Sequence, residues 1–127
     1  MSEKDYSLTE LNKPKDWTAL TEMAKKHVPI IEAPASVKAN EPFQVKIKVG
    51  GIDGVEHPNM LGHWINWVIL YADLRPIGQI YFYPTMTNGY VAIMHVTIEK
   101  SATLIAQGYC NLHGVWEGKG VKVSMKS

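Results

Sequence analysis

Four of the five histidines, His27, His57, His63 and His113, together with the only cysteine, Cys110, are the residues able to do chemistry as a group. Taken singly each is weak, because a lone cysteine is most often a small buried hydrophobe and a lone histidine more often belongs to structure than to a site. Their placement raises the set. His57 lies in a Gly-rich stretch next to Pro58, His63 opens an apolar run, and Cys110-Asn111-Leu112-His113 directly follows another. Strand ends and the loops joining them are where a rigid scaffold presents functional groups. The Cys-x-x-His step puts a thiolate beside an imidazole in a turn, a pairing suited to iron, copper or zinc. Zinc normally closes its shell with four ligands, whereas these five donors on an octahedral ion leave one position open.

The elements that must hold these donors read as β-structure. Phe43-Gln44-Val45-Lys46-Ile47-Lys48-Val49 alternates apolar and polar residues, which divides them between the two faces of a strand. Further β-rich runs span His63 to Tyr71, Ile77 to Tyr83, Tyr90 to Ile98, Thr103 to Tyr109 and Val121 to Met125, separated by Gly, Pro, Asn or Asp. About seven antiparallel strands without intervening helices predict an all-β, immunoglobulin-like sandwich or barrel. Residues 1–26 differ in texture. Ser7-Leu8-Thr9-Glu10 has the form of a capping box, and Asp16 precedes Trp17, Leu20 and Met23 at helical spacing, while Pro14 and Pro29 forbid one long helix. The expectation is a single domain over 1–127, with a short, partly helical arm over 1–26 and a barrel over 27–127.

Composition removes several classes of function. Hydrophobic residues at 46% and charged residues at 20% are those of a globular chain, not a disordered one. A net charge of +1 lacks the basic excess of a nucleic-acid binder. The opening MSEKDYSLTE is polar and unlike an export signal, and the longest apolar run, Trp67 to Ala72, is far short of the roughly 20 residues of a membrane helix. A cytoplasmic protein is expected. One cysteine permits neither an intrachain disulfide nor a four-cysteine metal knuckle.

The motifs Lys26-His27-Val28-Pro29, His57-Pro58-Asn59 with His63-Trp64-Ile65, and Cys110-Asn111-Leu112-His113-Gly114-Val115-Trp116 resemble, in order and approximate spacing, the iron-site motifs of superoxide reductases. The resemblance spans residues 26 to 116. It implies an immunoglobulin-like barrel and one non-haem iron per chain, with His27, His57, His63 and His113 as equatorial ligands and Cys110 as the axial thiolate. The missing four-cysteine centre is similar to the neelaredoxin-like, one-iron members, which are commonly homotetramers. Lys26 corresponds to the family's lysine, which implies that it draws superoxide in and hydrogen-bonds what is bound. The family usually has Glu-Lys-His at the first motif, whereas this chain has Lys25-Lys26-His27. The carboxylate that caps the oxidised iron is therefore missing, and Glu22, one helical turn before Lys26, is either a stand-in or a surface partner for that lysine.

The activity implied is one-electron reduction of superoxide to hydrogen peroxide, with the electron restored by an external carrier such as rubredoxin. A blue-copper electron carrier is the alternative, being another small β-sandwich with a Cys-x-x-His loop. Its weak axial Met would have to be Met125, twelve positions beyond His113, and the extra histidines would have no use. An immunoglobulin-like binding module without metal would leave the order of all five donors to chance. His95, inside a strand-like run, reads as structural, Trp64, Trp67 and Trp116 as core, and Lys46 and Lys48 as a solvated strand face.

Overall fold

Alternation along Phe43–Val49 sends Phe43, Val45, Ile47 and Val49 inward and leaves Gln44, Lys46 and Lys48 on the outer face. That strand anchors the fold. The computed structural model describes residues 6–126, so the polar opening of the arm, residues 1–5, lies outside the described residues. In chain order the elements are helix α1 (Glu22–His27) and strands β1 (Pro29–Glu32), β2 (Ser36–Val37), β3 (Phe43–Val49), β4 (Ile65–Ala72), β5 (Arg75–Tyr81), β6 (Tyr90–Val96), β7 (Ala102–Cys110), β8 (Gly114–Glu117) and β9 (Val121–Met125).

Two sheets face each other, as an all-β sandwich requires. One has the order β1-β3-β6; the other runs β2-β9-β7-β4-β5, with β8 also pairing β7. All pairings within named strands are antiparallel except β2 with β9, a two-residue parallel contact outside the antiparallel expectation. Their inner faces meet in a core that includes Val45, Ile47, Val68, Leu70, Leu104 and Val123, all fully buried. On the outer face the register sets Glu32 opposite Lys46, and the two form an ion pair at 3.6 Å.

The five β-rich runs other than β3 all became strands, with ends moved by one to two residues or not at all. Strands β1, β2 and β8 lay outside those runs. They are short, and β1 opens on Pro29, a residue tolerated at the start of an edge strand because it has no ladder N–H to give. The arm is less helical than its spacing suggests. Ser7 Oγ does accept from the Thr9 and Glu10 amides at 3.2 and 3.1 Å, yet no helix follows. The arm's backbone pairs instead with β8, through Asn12 N to Val115 O and Glu117 N to Asn12 O, both 2.9 Å. Among the described residues the sole α-helix is α1, capped by Thr21, whose Oγ1 accepts from Ala24 N at 3.0 Å. Its inner face adds Ala24 to a second cluster with Val28 and Trp116, flanked by Trp17, Leu20 and Met23. Among the described residues no helix is long and apolar enough to cross a membrane.

Candidate metal centre

Strand parity places the sulfur. Along β7 the residues Ala102, Leu104, Ala106, Gly108 and Cys110 face inward, so Cys110 is the last core-facing residue before the chain turns, and it is wholly buried. The Cys-x-x-His step is the hairpin between β7 and β8, in which Cys110 pairs with Gly114. Asn111 ties this hairpin to the His63 segment, accepting from Trp64 N at 2.9 Å and donating to Gly62 O at 2.8 Å. His63 lies just before β4 and is held by reciprocal backbone bonds with Met60. His27 is the last residue of α1, on the same inward side as Ala24. The loop leading to His57 passes the Lys26–His27 segment at Gly50 (φ 87°), where a β-carbon would come within 2.9 Å of His57 N and 3.5 Å of Lys26 O. Only glycine adopts that conformation and allows that approach without strain.

The four imidazoles close into a ring. Centroids are 4.7 Å apart for His27 and His57, 4.7 Å for His57 and His63, 5.0 Å for His63 and His113, and 5.0 Å for His113 and His27, every pair edge-on. Cys110 Sγ reaches His57 Nε2 at 3.4 Å and His113 Nδ1 at 3.6 Å. One donor atom each from His27, His57, His63 and Cys110 all lie within 4.8 Å of one another. Two donors about 2.0–2.3 Å from one ion stand at most about 4.6 Å apart, so a shift of a few tenths of an ångström brings these four onto a single metal.

Hydrogen bonding fixes which nitrogens face inward. His27 Nδ1 bonds Met23 O at 2.7 Å and His57 Nδ1 bonds Pro58 O at 2.6 Å; a carbonyl only accepts, so both Nδ1 atoms carry the proton and both Nε2 atoms present lone pairs. His27 Nε2 and His63 Nε2 are buried without any hydrogen-bond partner. Orphaned buried nitrogens beside a thiol and two further imidazoles fit a borderline transition-metal ion such as iron. Such backbone anchoring of ligating histidines also orients them and raises their basicity.

Electrostatics keep the donors ready. Burial pushes His27 down to about 3 and His57 down to about 4, partly opposed by the Met23 and Pro58 carbonyls and reinforced by the neighbouring imidazoles and Lys26. His63 and His113 are also lowered, burial leading and Lys26 contributing. All four are therefore neutral imidazoles at neutral pH, the form able to bind a metal. Burial raises the Cys110 thiol, while the Leu112 and His113 amides and Lys26 pull it back toward the thiolate.

Lys26 is thus the cation whose field reaches all five donors. Lys25 turns elsewhere, pairing its Nζ with Asp53 Oδ2 at 3.2 Å. Glu22 is exposed in the first turn of α1, at the far end of the helix from His27, and is not part of the cluster. Trp116 does line the centre, stacking on His27 at 5.2 Å and 22° and donating from Nε1 to His113 O at 3.0 Å. Trp64 packs against the main core and bonds Phe82 O, and Trp67 stacks on Tyr109. His95 is exposed on β6, Lys48 pairs with Glu56 at 3.9 Å, and Met125 packs against the main core. One contributor had no signal in the sequence. Tyr90, almost fully buried, donates from its hydroxyl to Pro58 O at 2.6 Å, the carbonyl that also anchors His57.

A model of the desulfoferrodoxin family matches residues 19–119. Among solved structures, the chain is similar to a superoxide reductase (neelaredoxin) from Ignicoccus hospitalis, 33% identical over 90% of this chain and 94% of that one, with a TM-score of 0.75. Among curated relatives it is similar to a superoxide reductase of Pyrococcus furiosus, 28% identical over 88% of this chain and 96% of its relative. A neelaredoxin of Megalodesulfovibrio gigas is 29% identical over 73% and 83% of the two chains. Because the matched span carries every member of the donor ring, its thiol and Lys26, this chain belongs to the desulfoferrodoxin family.

Proposed function

We propose that His27, His57, His63, His113 and Cys110 together hold one iron ion and that the chain is a superoxide reductase, converting superoxide to hydrogen peroxide with one electron and two protons. The observation that carries this reading is the pair of orphaned nitrogens, His27 Nε2 and His63 Nε2, in a closed ring of imidazoles beside a thiol. A buried polar atom without a partner costs about 1–3 kcal/mol, and a shared cation supplies the partner. When bound, iron supplies the electron by passing between its ferrous and ferric states.

The chain's residues do the rest. Four neutral imidazoles and one thiolate leave a divalent ion with net positive charge, which attracts an anion. Lys26, in the last turn of α1 beside His27, adds to that field, and its Nζ offers N–H donors to the bound anion and to the water that brings the protons. The electron comes from an external carrier, rubredoxin or one like it. Leu61 and Leu112, both exposed beside His63 and His113, offer such a carrier an apolar rim close to the iron. Exposed Ile77 and Tyr81 on β5 and Ile93 on β6 support assembly as a homotetramer. The chain works as one iron-binding domain in the cytoplasm.

The test is metal analysis followed by anaerobic stopped-flow mixing of reduced protein with superoxide. About one iron per chain, oxidised as peroxide forms without catalytic release of dioxygen, is expected. Copper in place of iron, or no metal after reconstitution, overturns the reading.

A further inference from the structure

Among the described residues three polar side chains are buried, and two of them, His27 and His57, belong to the donor ring. The third is Asn12, in the N-terminal arm. Its side-chain amide is fully engaged: Oδ1 accepts from Ser7 N at 2.7 Å, and Nδ2 donates to Ser7 O at 3.0 Å and Val115 O at 2.9 Å, with His113 O at 3.5 Å. The Ser7 amide can meet only an oxygen, so the two ends of the Asn12 side chain cannot be exchanged. The reciprocal bonds to Ser7 close residues 7–12 into a loop, while the other hydrogen of the amide faces the segment that carries His113. The loop is seated closely. A β-carbon at Gly114 (φ 84°) would collide with Ser7 O and come within 3.2 Å of Asn12 Nδ2.

His113 has a particular need for such support. His27 and His57 are each oriented by an Nδ1 bond to a backbone carbonyl, but His113 turns Nδ1 toward the sulfur and cannot use that nitrogen as its anchor. Its direction has to come from the peptide on either side. The His113 carbonyl receives Trp116 Nε1 and the fringe of the Asn12 amide, and the arm's Tyr6 meets its ring edge-on at 4.7 Å.

We propose that Asn12 is the positioning residue of His113, clamping the N-terminal arm over the Gly114 turn so that Nδ1 keeps its direction toward the metal. The inference rests on the reading of the ring as an iron site. Asn12→Asp keeps the shape but sets a carboxylate oxygen against the Val115 and His113 carbonyls; Asn12→Ala removes the clamp. The readouts are the rate at which a chelator strips iron and the position of the sulfur-to-iron absorption band, with melting of the metal-free proteins measured alongside. We expect iron loss about 10-fold faster, in the range for outer-shell changes, and a displaced band, both larger for Asp than for Ala. Asp16→Ala, which breaks only the Thr18 turn of the same arm, should leave both at wild-type values. If Asn12→Asp does not fold, Asn12→Ser, too short to reach both Ser7 and Val115, takes its place. Lowered melting with wild-type iron loss and an unmoved band overturns the proposal, as does Asp16→Ala reproducing the Asn12 effects. Wild-type protein that takes up no iron overturns the iron reading and this proposal with it, whereas iron-loaded wild type with indifferent variants overturns this one alone.

Discussion

Besides His27, which closes helix α1, the donor ring is assembled from two kinds of backbone. Cys110 and His113 come from the β7–β8 hairpin, whose position follows from strand parity and from a sulfur that is itself part of the main core. His57 and His63 come from the long connection between β3 and β4, where Gly50, Gly51, Asp53 and Gly54 all take positive φ. Nothing periodic places those two. They are held by individual polar ties: Tyr90 and His57 on the Pro58 carbonyl, Asn59 on Thr85 and Thr87, Asn111 on Gly62 and Trp64. Cys110, on a regular strand, inherits its place from the core, whereas the imidazoles, on a helix end, a turn and irregular chain, lean on individual bonds.

The comparison breaks most sharply at Cys110. Cys110→Ser should keep the fold, since a hydroxyl nearly fills the same space, yet abolish the sulfur-to-iron band and lower superoxide reduction by more than about 100-fold, beyond the usual outer-shell range. Visible spectra and stopped-flow rates check this, and full activity would remove Cys110 from the centre. Lys26→Ala comes next. It should slow the second-order reaction with superoxide about three- to tenfold at low ionic strength and flatten its salt dependence, because a local cation steers an anion and salt screens it. Iron content should be unchanged, and equal salt slopes would reduce Lys26 to a surface charge.

Tyr90→Phe probes the irregular half by itself. It removes one of two bonds to the Pro58 carbonyl, worth about 0.5–1.5 kcal/mol, so iron should leave a few-fold faster while the sulfur band stays in place. A displaced band would show that the two halves are not separable in this way. The smallest effect belongs to Asp53→Asn. Asp53 is mostly exposed, and such ion pairs contribute about 0–1 kcal/mol, so melting should shift by no more than a few degrees. Lys25→Glu, which faces a second carboxylate there, should cost slightly more. A change in the ferric spectrum of Lys25→Glu would mean that residue 25 also reaches the iron, and an unchanged one that the ion pair is all it does.

The same division explains how much could be read from residues alone. Strands β3 and β9 were bounded correctly because alternation or β-branched content marks them, and the five candidate donors stood out because His and Cys are rare types in a telling order. The ties that hold the segments around the imidazoles did not. Asn12, Asp53 and Tyr90 carry no metal signature, and their partners, Val115, Lys25 and Pro58, lie far off along the chain. The capping form at Ser7 misled for a related reason. Its local bonds formed as expected, but the pairing of Asn12 with β8 decided the conformation of the segment. The absence of a carboxylate at position 25 was visible at once, whereas its replacement by an ion pair to a distant loop was not.

Full burial of Cys110 has a bearing on the enzyme's durability. The product of the reaction is an oxidant that attacks thiolates and carries them by way of sulfenic acid to irreversible sulfinic and sulfonic forms. In this fold the sulfur has no solvent-facing surface, and in a metal-free chain burial shifts it toward the protonated, unreactive thiol. Burial and the raised thiol therefore both slow oxidation of Cys110 in a chain that has lost its iron. The core packing that sets the donor in place also works as its corrosion shield.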